Sequence, residues 1–406
     1  MIDAGRILDR IEALAGCSEE SGFLTRVFMS SEQRRASELV LAWMKAAGMA
    51  ARIDPIGNVV GRYEGQQPGQ PCLMLGSHLD TVRHAGKFDG MLGVVAAIEC
   101  VQALHDGRRR LAFAVEVAGF ADEEGVRFGT TFLGSRALAG TFDLAALDIA
   151  DARGVTMREA LATNGFDAGA IPSAARGRAE LLAYCELHIE QGPVLEAESL
   201  AVGTVTAING MSRLSVRIQG VAGHAGTVPM SLRRDALAAA AECVLAIERI
   251  GRGEPELVAT VGRLEALPGA INVVPGEARF TIDVRAPRDA QRREAVAAIR
   301  AEIARLAQAR GTGILVELTQ EAPVAECAPW LMDQLDRAIA AESLPVRRLP
   351  SGAGHDGMAM KAIADIGMLF VRCKGGISHN PAEDITAADA EVATRVFLRF
   401  IENFRR

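Results

Sequence analysis

A change of hydrophobic periodicity restricts the fold of this chain more than any other feature. Before Val202, apolar runs such as residues 71–76 and 111–120 alternate with helical patterns such as residues 92–104. Continuous apolar runs separated by helices predict an α/β sheet with helices on both faces. The same alternation returns near the C-terminus, with a strand predicted at residues 366–371. One α/β domain is therefore predicted from two separated parts of the chain.

The segment between these parts has a different pattern. Residues 204–219 alternate apolar and polar side chains, as a half-buried strand does. The next predicted elements are helix 235–250, strands 256–264 and 277–285, helix 288–308 and strand 314–318. This βαββαβ order is typical of a ferredoxin-like unit, an antiparallel sheet faced by two helices. We therefore predict a mixed-sheet α/β domain of residues 1–206 and 323–406, with a βαββαβ domain of residues 207–322 inserted into it.

Length and charge exclude several classes of protein. A chain of 406 residues exceeds what one core usually holds, which favours two domains. The net charge is −7 and the basic residues are scattered, so nothing indicates binding to nucleic acid or to a membrane surface. Residues 1–16 form an amphipathic pattern rather than a signal peptide. The seven cysteines are widely spaced without a Cys-x-x-Cys pair, which predicts reduced thiols in a cytoplasmic protein.

The apolar run at residues 71–76 leads into a histidine and an aspartate. Residues two apart on an extended chain point the same way, so Asp80 can orient the His78 imidazole as a metal ligand. Asp89 follows at the start of a helix, among glycines that permit close backbone approach, and its two oxygens can bridge two cations. Taken singly, each residue is better explained by structure: His78 as a hydrogen-bonded core histidine, and Asp89 as a helix N-cap.

Two other predicted strands also lead into chemically active residues. Residues 122–124 (Asp-Glu-Glu) follow an apolar run, and three adjacent carboxylates there repel one another unless a cation neutralises them. His188 ends a strand predicted at residues 183–189, and His379 lies in a tight loop near the C-terminus. Parallel sheets place their sites at the carboxyl ends of strands, which favours function over packing. Zn²⁺ and Mn²⁺ take such ligands, and two ions bridged by one carboxylate activate water, leaving Glu123 for proton transfer.

These residues lie in runs that together resemble the metallopeptidase-like amidohydrolases, and within them the hydantoinase/carbamoylase branch. The runs follow one another in the order expected for that branch. They are GSHLDT (76–81), GKFDG (86–90), DEEGVRFG (122–129), LHIEQGPVLE (187–196), GHAGTVPM (223–230), INVVPG (271–276), SGAGHD (351–356) and GGISHNPAED (375–384).

The resemblance implies a dinuclear centre of Mn²⁺ or Zn²⁺. The implied ligand sets are His78, Asp89 and His188 for one ion, and Asp89, Glu124 and His379 for the other. Glu123 would be the general base and acid, and Asp80 would orient His78. His188, followed by Ile-Glu-Gln-Gly, favours the ureido-cleaving branch, because the peptidase branch usually has a carboxylate at that position.

The resemblance also implies that the inserted domain is a closing lid through which two subunits form a homodimer. Arg285 would pair with a substrate carboxylate, for which a planar guanidinium suits bidentate contact. Without the family, an arginine at a strand end is more often a surface charge. Further substrate contacts are implied at Asn272, Gln191, His355 and His224, with His224 reaching the site of the partner subunit.

The implied substrate is a small carboxylate that bears an amide or ureido group. Residues 79–90, 120–135 and 223–237 are most similar to allantoate amidohydrolases. N-carbamoyl-amino-acid hydrolases more often carry Ser-Gln-Pro after the first Asp, where this chain has Thr81-Val82-Arg83. They also more often carry Met-Met-Gly-Ser where residues 132–135 are Phe-Leu-Gly-Ser. Allantoate is the predicted substrate, and an N-carbamoyl-L-amino acid is the alternative.

A non-catalytic binding protein on the same fold is the alternative of another class. Such homologues arise when a ligand position is lost. Here every implied ligand and the implied acid–base glutamate are present, which favours an enzyme.

Overall fold

The chain divides into two compact units in a computed structural model that describes residues 2–406. The first unit runs up to Thr206 and also contains Cys327–Leu349 and Ala353–Arg406. The second unit is Ala207–Glu326 together with the short segment Pro350–Gly352. No helix within residues 2–406 is long and apolar enough to cross a membrane.

Strands and helices alternate along most of the chain. The strands are β1 Ala50–Ile53, β2 Val59–Tyr63, β3 Cys72–His78, β4 Ala114–Phe120, β5 Leu181–Ile189, β6 Val202–Ile208, β7 Gly210–Gln219, β8 Gly223–His224, β9 Val258–Leu267, β10 Val273–Val274, β11 Glu277–Ala286, β12 Gly313–Ala322, β13 Ala325–Glu326, β14 Arg348–Ser351 and β15 Ile366–Val371. The helices are α1 Ala4–Ala15, α2 Ser31–Ala46, α3 Met91–Asp106, α4 Leu133–Leu138, α5 Met157–Thr163, α6 Val194–Ala197, α7 Ala236–Gly253, α8 Asp289–Ala309, α9 Pro329–Ala341, α10 Gly357–Met360 and α11 Ala387–Asn403.

The larger sheet is mixed. Over the described part of the chain it has nine strands in the order β1-β2-β4-β3-β5-β15-β6-β13, with β14 beside β6. The central strands β4, β3, β5 and β15 are parallel, and the strands that flank them pair antiparallel. Strands β3, β4 and β15 are buried along their whole length, as strands buried on both faces are. The predicted mixed α/β architecture is therefore confirmed.

Helix α3 lies in the core of this unit and begins directly after Gly90. Most of its residues are apolar and buried, and Val94 and Ile98 are fully buried. A helix that is apolar on most of its surface is a buried helix, and α3 packs against β3 and β5. The loop that carries Asp89 is therefore anchored to the most buried helix of the unit.

The second unit contains an antiparallel sheet with βαββαβ connectivity. Among the residues that the structure describes, this sheet has four strands in the order β12-β7-β11-β9. Helices α7 and α8 pack on it, and the core contains Val216, Phe280 and Ile299. Strand β7 alternates buried and partly exposed residues, which is the pattern of a sheet with one covered face. The short strands β8 and β10 form a separate antiparallel pair.

The single strand predicted at residues 204–219 is wrong. The structure has two strands, β6 and β7, which belong to different sheets and are separated by Asn209. The Asn209 N–H donates to the Ser351 carbonyl at 2.9 Å. Strand β6 is buried on nearly every residue, and the polar alternation starts only at β7. The sequence pattern did not reveal the boundary between β6 and β7, because both strands are extended and only Asn209 lies between them.

Candidate functional site

The candidate metal ligands of the first unit come together at one edge of its parallel strands. His78 is the last residue of β3, and His188 lies at the end of β5. Glu124 follows β4, and His379 lies in the loop after β15. Neighbouring parallel strands end at the same edge of a sheet, so the sheet gathers residues that are far apart in sequence. The strand ends that were predicted to carry chemistry are therefore adjacent.

Asp89 lies at the centre of this cluster, and its two oxygens face different histidines. Asp89 Oδ1 is 3.5 Å from His78 Nε2 and 3.2 Å from His188 Nε2. Asp89 Oδ2 is 3.3 Å from His379 Nε2, which in turn is 3.4 Å from Glu124 Oε1. Two triads result, His78–Asp89–His188 and Asp89–Glu124–His379, and each could hold a metal ion. They coincide with the two ligand sets that the resemblance implied.

The spacing of these donor atoms fits divalent ions such as Zn²⁺. Ligands at about 2.0–2.1 Å from a tetrahedral ion lie roughly 3.3–3.4 Å from one another, because the edge of a tetrahedron is about 1.63 times its radius. The four N···O separations within the two triads, three of them to Asp89, fall between 3.2 and 3.5 Å. Most are longer than a good N–H···O hydrogen bond. The spacing of the donors is therefore consistent with ligands that share an ion.

The two buried histidines present the same nitrogen to the cluster. His78 Nδ1 donates to the Asp80 carbonyl at 3.0 Å, and His188 Nδ1 donates to the Ile189 carbonyl at 2.9 Å. A carbonyl can only accept, so each Nδ1 carries a proton and each Nε2 is the nitrogen that faces Asp89. A metal-ligating histidine usually has its second nitrogen satisfied in this way.

Asp80 supports the cluster through its main-chain carbonyl and through the hydrogen bonds that its carboxylate accepts. Its carboxylate is 3.6 Å from His78 Nδ1, farther than its own carbonyl. The two carboxylate oxygens accept the N–H groups of Glu123 and Glu124 at 2.9 and 3.1 Å. Asp80 therefore holds the turn that carries both glutamates, and its carbonyl sets the tautomer of His78.

The carboxylates of the cluster repel one another in a buried environment. Burial, followed by repulsion from Glu124, raises the pKa of Glu123 well above its usual range. Burial, followed by repulsion from Asp89, raises the pKa of Glu124 to about 7. Burial also favours the neutral form of Asp89, but contacts with His188, His379 and His78 hold its pKa well below the usual value. Such a group of acids is stable as anions only beside compensating positive charge.

Glu123 lies close to two of the candidate ligands. One of its oxygens is within 4.8 Å of ligand atoms of His78 and Glu124. Its side chain is buried, and the turn that carries it is fixed by Asp80. Proximity alone would allow Glu123 to bind an ion, so its separate role in proton transfer stays a prediction.

Two residues that the resemblance implied as substrate contacts touch the cluster. Gln191 Nε2 donates to Asp89 Oδ2 at 3.0 Å and to Ser378 Oγ at 3.1 Å. The ring of His355 is fully buried, with its centroid 4.4 Å from that of His188. Burial and the charge of His188 lower the pKa of His355 well below its usual value. Both residues therefore contact the ligand residues, and their roles toward a substrate stay predictions.

The other implied contacts, Arg285, Asn272 and His224, lie in the second unit. Strand β8 pairs with β10 so that His224 faces Val273, and Ala225 N–H donates to the Asn272 carbonyl at 2.9 Å. This brings His224 and Asn272 together on an exposed edge. Arg285, near the end of β11, donates from Nε and Nη2 to Asp283 and from Nη1 to the Gly352 carbonyl. Their roles toward a substrate stay predictions.

Sequence reasoning missed three residues around the ligands. Ser378 and Glu383 flank His379 in the run SHNPAE, and both bond to the Asp89 region. Glu186, fully buried, accepts hydrogen bonds from Ser77 and Tyr184 beneath the histidines. Glu186 precedes His188 by two residues on one strand, so strand periodicity could have placed both on the same side. No comparable local signal links Glu383 to Asp89.

The fold and the cluster define the chain as a hydrolase. The family described as Peptidase family M20/M25/M40 matches residues 74–403, and the chain belongs to this family. A solved amidase of the hydantoinase/carbamoylase family from Burkholderia multivorans superimposes with a TM-score of 0.94 at 34% identity. That match covers 98% of this chain and 97% of the other. The resemblance inferred from the sequence is thereby confirmed.

Two curated relatives carry different substrate names. An N-carbamoyl-L-amino acid amidohydrolase from Geobacillus stearothermophilus is 41% identical over 98% of this chain and 97% of its own length. A probable allantoate deiminase from Oryza sativa subsp. japonica is also 41% identical, over 97% of this chain and 87% of its own length. Both names denote cleavage of a non-peptide C–N bond, and the similarity does not separate the two substrates.

Proposed function

We propose that this chain hydrolyses the ureido C–N bond of allantoate, giving ureidoglycine, ammonia and carbon dioxide, with two divalent ions at the Asp89 cluster. The observation that carries the metal-dependent part is the pair of triads that share Asp89, with donor spacings suited to bound ions. A carboxylate whose two oxygens face separate ligand sets is the arrangement that bridged two-ion centres use.

The residues of the cluster divide into ligands and a proton carrier. When bound, the two ions would polarise the ureido carbonyl and make water more acidic. His78, His188, Glu124 and His379 would hold them together with Asp89. Glu123 accepts the proton of the attacking water and passes it to the leaving nitrogen, since a buried carboxylate of raised pKa is suited to both transfers. The Asp80 carboxylate keeps Glu123 in place by accepting the main-chain N–H of Glu123.

Arg285 binds the substrate carboxylate in this proposal. A guanidinium has five N–H groups, and Arg285 uses three of them on Asp283 and Gly352. One N–H remains on Nη1 and one on Nη2, and these two groups can donate to a substrate carboxylate. Asp283 therefore orients the fork of Arg285 and leaves this pair available to the substrate.

The second unit acts as the lid and the dimer interface, and His224 serves the site of the partner subunit. His224 is exposed, and its Nδ1 accepts the Gly226 N–H at 3.0 Å. The neutral ring then carries its proton on Nε2. This N–H group is a hydrogen-bond donor that the loop of His224 does not use. Such a donor can stabilise negative charge that develops on a substrate oxygen.

The choice of allantoate rests on the sequence at residues 81–83 and 132–135. The alternative, an N-carbamoyl-L-amino acid, is favoured by the Geobacillus stearothermophilus relative, which matches along almost its whole length. Both substrates release ammonia, so one assay compares them directly.

The test measures ammonia release by the purified chain, supplied with Mn²⁺ or Zn²⁺, from allantoate and from a series of N-carbamoyl-L-amino acids. We expect the highest kcat/KM with allantoate, and a rate of release that is lower by about 10²–10⁴-fold in Glu123→Gln under the same conditions. A preference for an N-carbamoyl-L-amino acid would establish the alternative. Absence of release from every substrate, with metal bound, would instead favour the non-catalytic binding protein.

A further inference from the structure

A buried carboxylate outside the proposed ligand set holds the backbone of the bridging aspartate. Glu383 is 3% exposed, and its Oε1 accepts the N–H groups of Phe88 and Asp89 at 2.9 and 3.1 Å. Its other oxygen, Oε2, lies 2.9 Å from Ser378 Oγ. Ser378 Oγ is in turn 3.2 Å from Asp89 Oδ2. Glu383 thus reaches both the main chain and, through Ser378, the side chain of Asp89.

We propose that Glu383, acting with Ser378, is a positioning residue that fixes Asp89 as the bridge between two metal ions. The inference rests on the proposed function, because it concerns ion binding at Asp89. It assigns to Glu383 no contact with the substrate or with the ions.

The need for such a residue follows from the position of Asp89. The aspartate lies in the loop just before α3, and both of its oxygens must face different ligand sets at once. A small rotation of the Phe88–Asp89 backbone would withdraw one oxygen. A single carboxylate oxygen that accepts two consecutive N–H groups restrains that rotation, as a capping carboxylate restrains a helix end.

Ser378 connects the two carboxylates without being committed to either one. Its hydroxyl has one proton and lies within hydrogen-bond distance of Asp89 Oδ2 and of Glu383 Oε2. When Asp89 Oδ2 binds an ion, the hydroxyl can donate to Glu383 instead. Asp89 Oδ2 then no longer accepts from Ser378, while the partly buried hydroxyl keeps a hydrogen-bond partner.

The chain makes room for Glu383 with a glycine. A Cβ atom at Gly86 would lie 2.2 Å from Glu383 Cδ and 2.3 Å from Oε1, closer than atoms can approach. Any side chain at this position would push the carboxylate off the Phe88–Asp89 backbone. The GKFDG run therefore contains both the proposed ligand Asp89 and, at Gly86, the space that the Glu383 carboxylate occupies.

The experiment titrates metal-free protein with Mn²⁺ by calorimetry, in the full chain and in three variants. We expect Glu383→Ala to weaken both ion sites by roughly 10- to 100-fold, the usual effect of removing a residue that orients a ligand. Glu383→Gln should stay within a few-fold of the unmodified chain, because its amide oxygen can still accept both N–H groups. The matched control is Asp151→Ala. Asp151 has an 8% exposed side chain that accepts two N–H groups at 2.9 and 3.0 Å in a loop without a proposed ligand.

Several outcomes would overturn the inference. One is wild-type Mn²⁺ affinity in folded Glu383→Ala, and another is an equal loss in Asp151→Ala. If Glu383→Ala does not fold, Gly86→Ala displaces the carboxylate without removing it, and an unchanged affinity in that variant overturns the inference as well. Failure of the unmodified chain to bind Mn²⁺ or Zn²⁺ would refute the proposed function itself. Normal binding that is indifferent to Glu383 would refute only its positioning role.

Discussion

The two units of the chain present most of their candidate functional residues in different ways, although the His379 side chain of the first unit is 51% exposed. In the first unit, Asp89 and His188 are almost fully buried, and hydrogen bonds to backbone carbonyls or buried partners set their orientation. In the second unit, His224 and Asn272 are exposed, and Arg285 is only partly buried. Ligands of a metal must be oriented before the ion arrives, whereas residues that read a substrate must remain accessible to it.

This difference predicts two classes of variant. Changes in the first unit should alter metal content or the chemical step. Changes in the second unit should leave metal content intact and alter the use of substrate. If any of the outcomes predicted for these variants is not observed, this distinction between the two units does not hold. The expected effects decrease from Asp89→Ala to the mixture of His224→Ala and Glu123→Gln.

The largest effect is expected for Asp89→Ala. Both ions should be lost, because both triads depend on this carboxylate, and hydrolysis should stop. Elemental analysis of the purified variant checks the prediction. The control is Asp54→Ala, which removes an equally buried aspartate that caps a turn elsewhere in the unit. Full metal content in Asp89→Ala would exclude it as the bridge.

A large effect on rate, without one on metal content, is expected for Glu123→Gln. The amide is nearly isosteric but cannot carry a proton, so kcat should fall by about 10²–10⁴, the usual contribution of an acid–base group. The neighbour Glu124→Gln is the comparison, because it should lose metal. Metal analysis and steady-state kinetics on both variants separate the roles. Loss of metal from Glu123→Gln would make Glu123 a ligand.

In the second unit, Arg285→Ala should weaken the use of charged substrate. Losing a bidentate contact to a carboxylate costs roughly 2–5 kcal/mol of transition-state binding. Arg285→Lys should not restore it, since an ammonium lacks the planar fork. The measurement is kcat/KM for allantoate and for its uncharged amide, in the presence of normal metal content.

Arg213→Ala is the matched control for Arg285, because Arg213 pairs with the same Asp283 at 2.9 Å. We expect little change in that variant. An equal loss on the charged and uncharged substrates in Arg285→Ala would show that this arginine does not read the carboxylate.

The smallest signal is expected from a mixture of two inactive variants, His224→Ala and Glu123→Gln. If His224 acts in the partner's site, half of randomly mixed dimers contain both variants, and one of their two sites is intact. About a quarter of wild-type activity should then return. Native mass spectrometry verifies subunit exchange. No recovery after proven exchange would place His224 outside the partner's site.

The local elements of the fold could be predicted because each carries its own periodicity. The apolar run before His78 became β3, and the pattern at residues 92–104 became most of α3. The break at Asn209 was missed, since one extended strand and two consecutive ones have the same local pattern. What separates them is a hydrogen bond to Ser351, far along the chain.

For the site, the sequence by itself determined which residue types stand at the strand ends. Three such positions can be recognised in the sequence: His78, the acids at residues 122–124 and His188. Each follows or ends a buried strand, and parallel sheets place their functional sites at the carboxyl ends of strands. The resemblance supplied the pairing of these residues around Asp89, and the structure brings the same residues together. Local pattern could not have supplied this pairing, because the partners come from four separate strands.

Only the tertiary structure decided how the ligands are oriented. The Asp80 carboxylate binds the turn of Glu123 and Glu124 while its carbonyl holds His78, and Gln191 donates to Asp89. Glu383 reaches the Asp89 backbone across most of the length of the chain. A hydrogen bond depends on distances of a few tenths of an ångström and on direction, and these arise only when parallel strands bring remote loops to one edge.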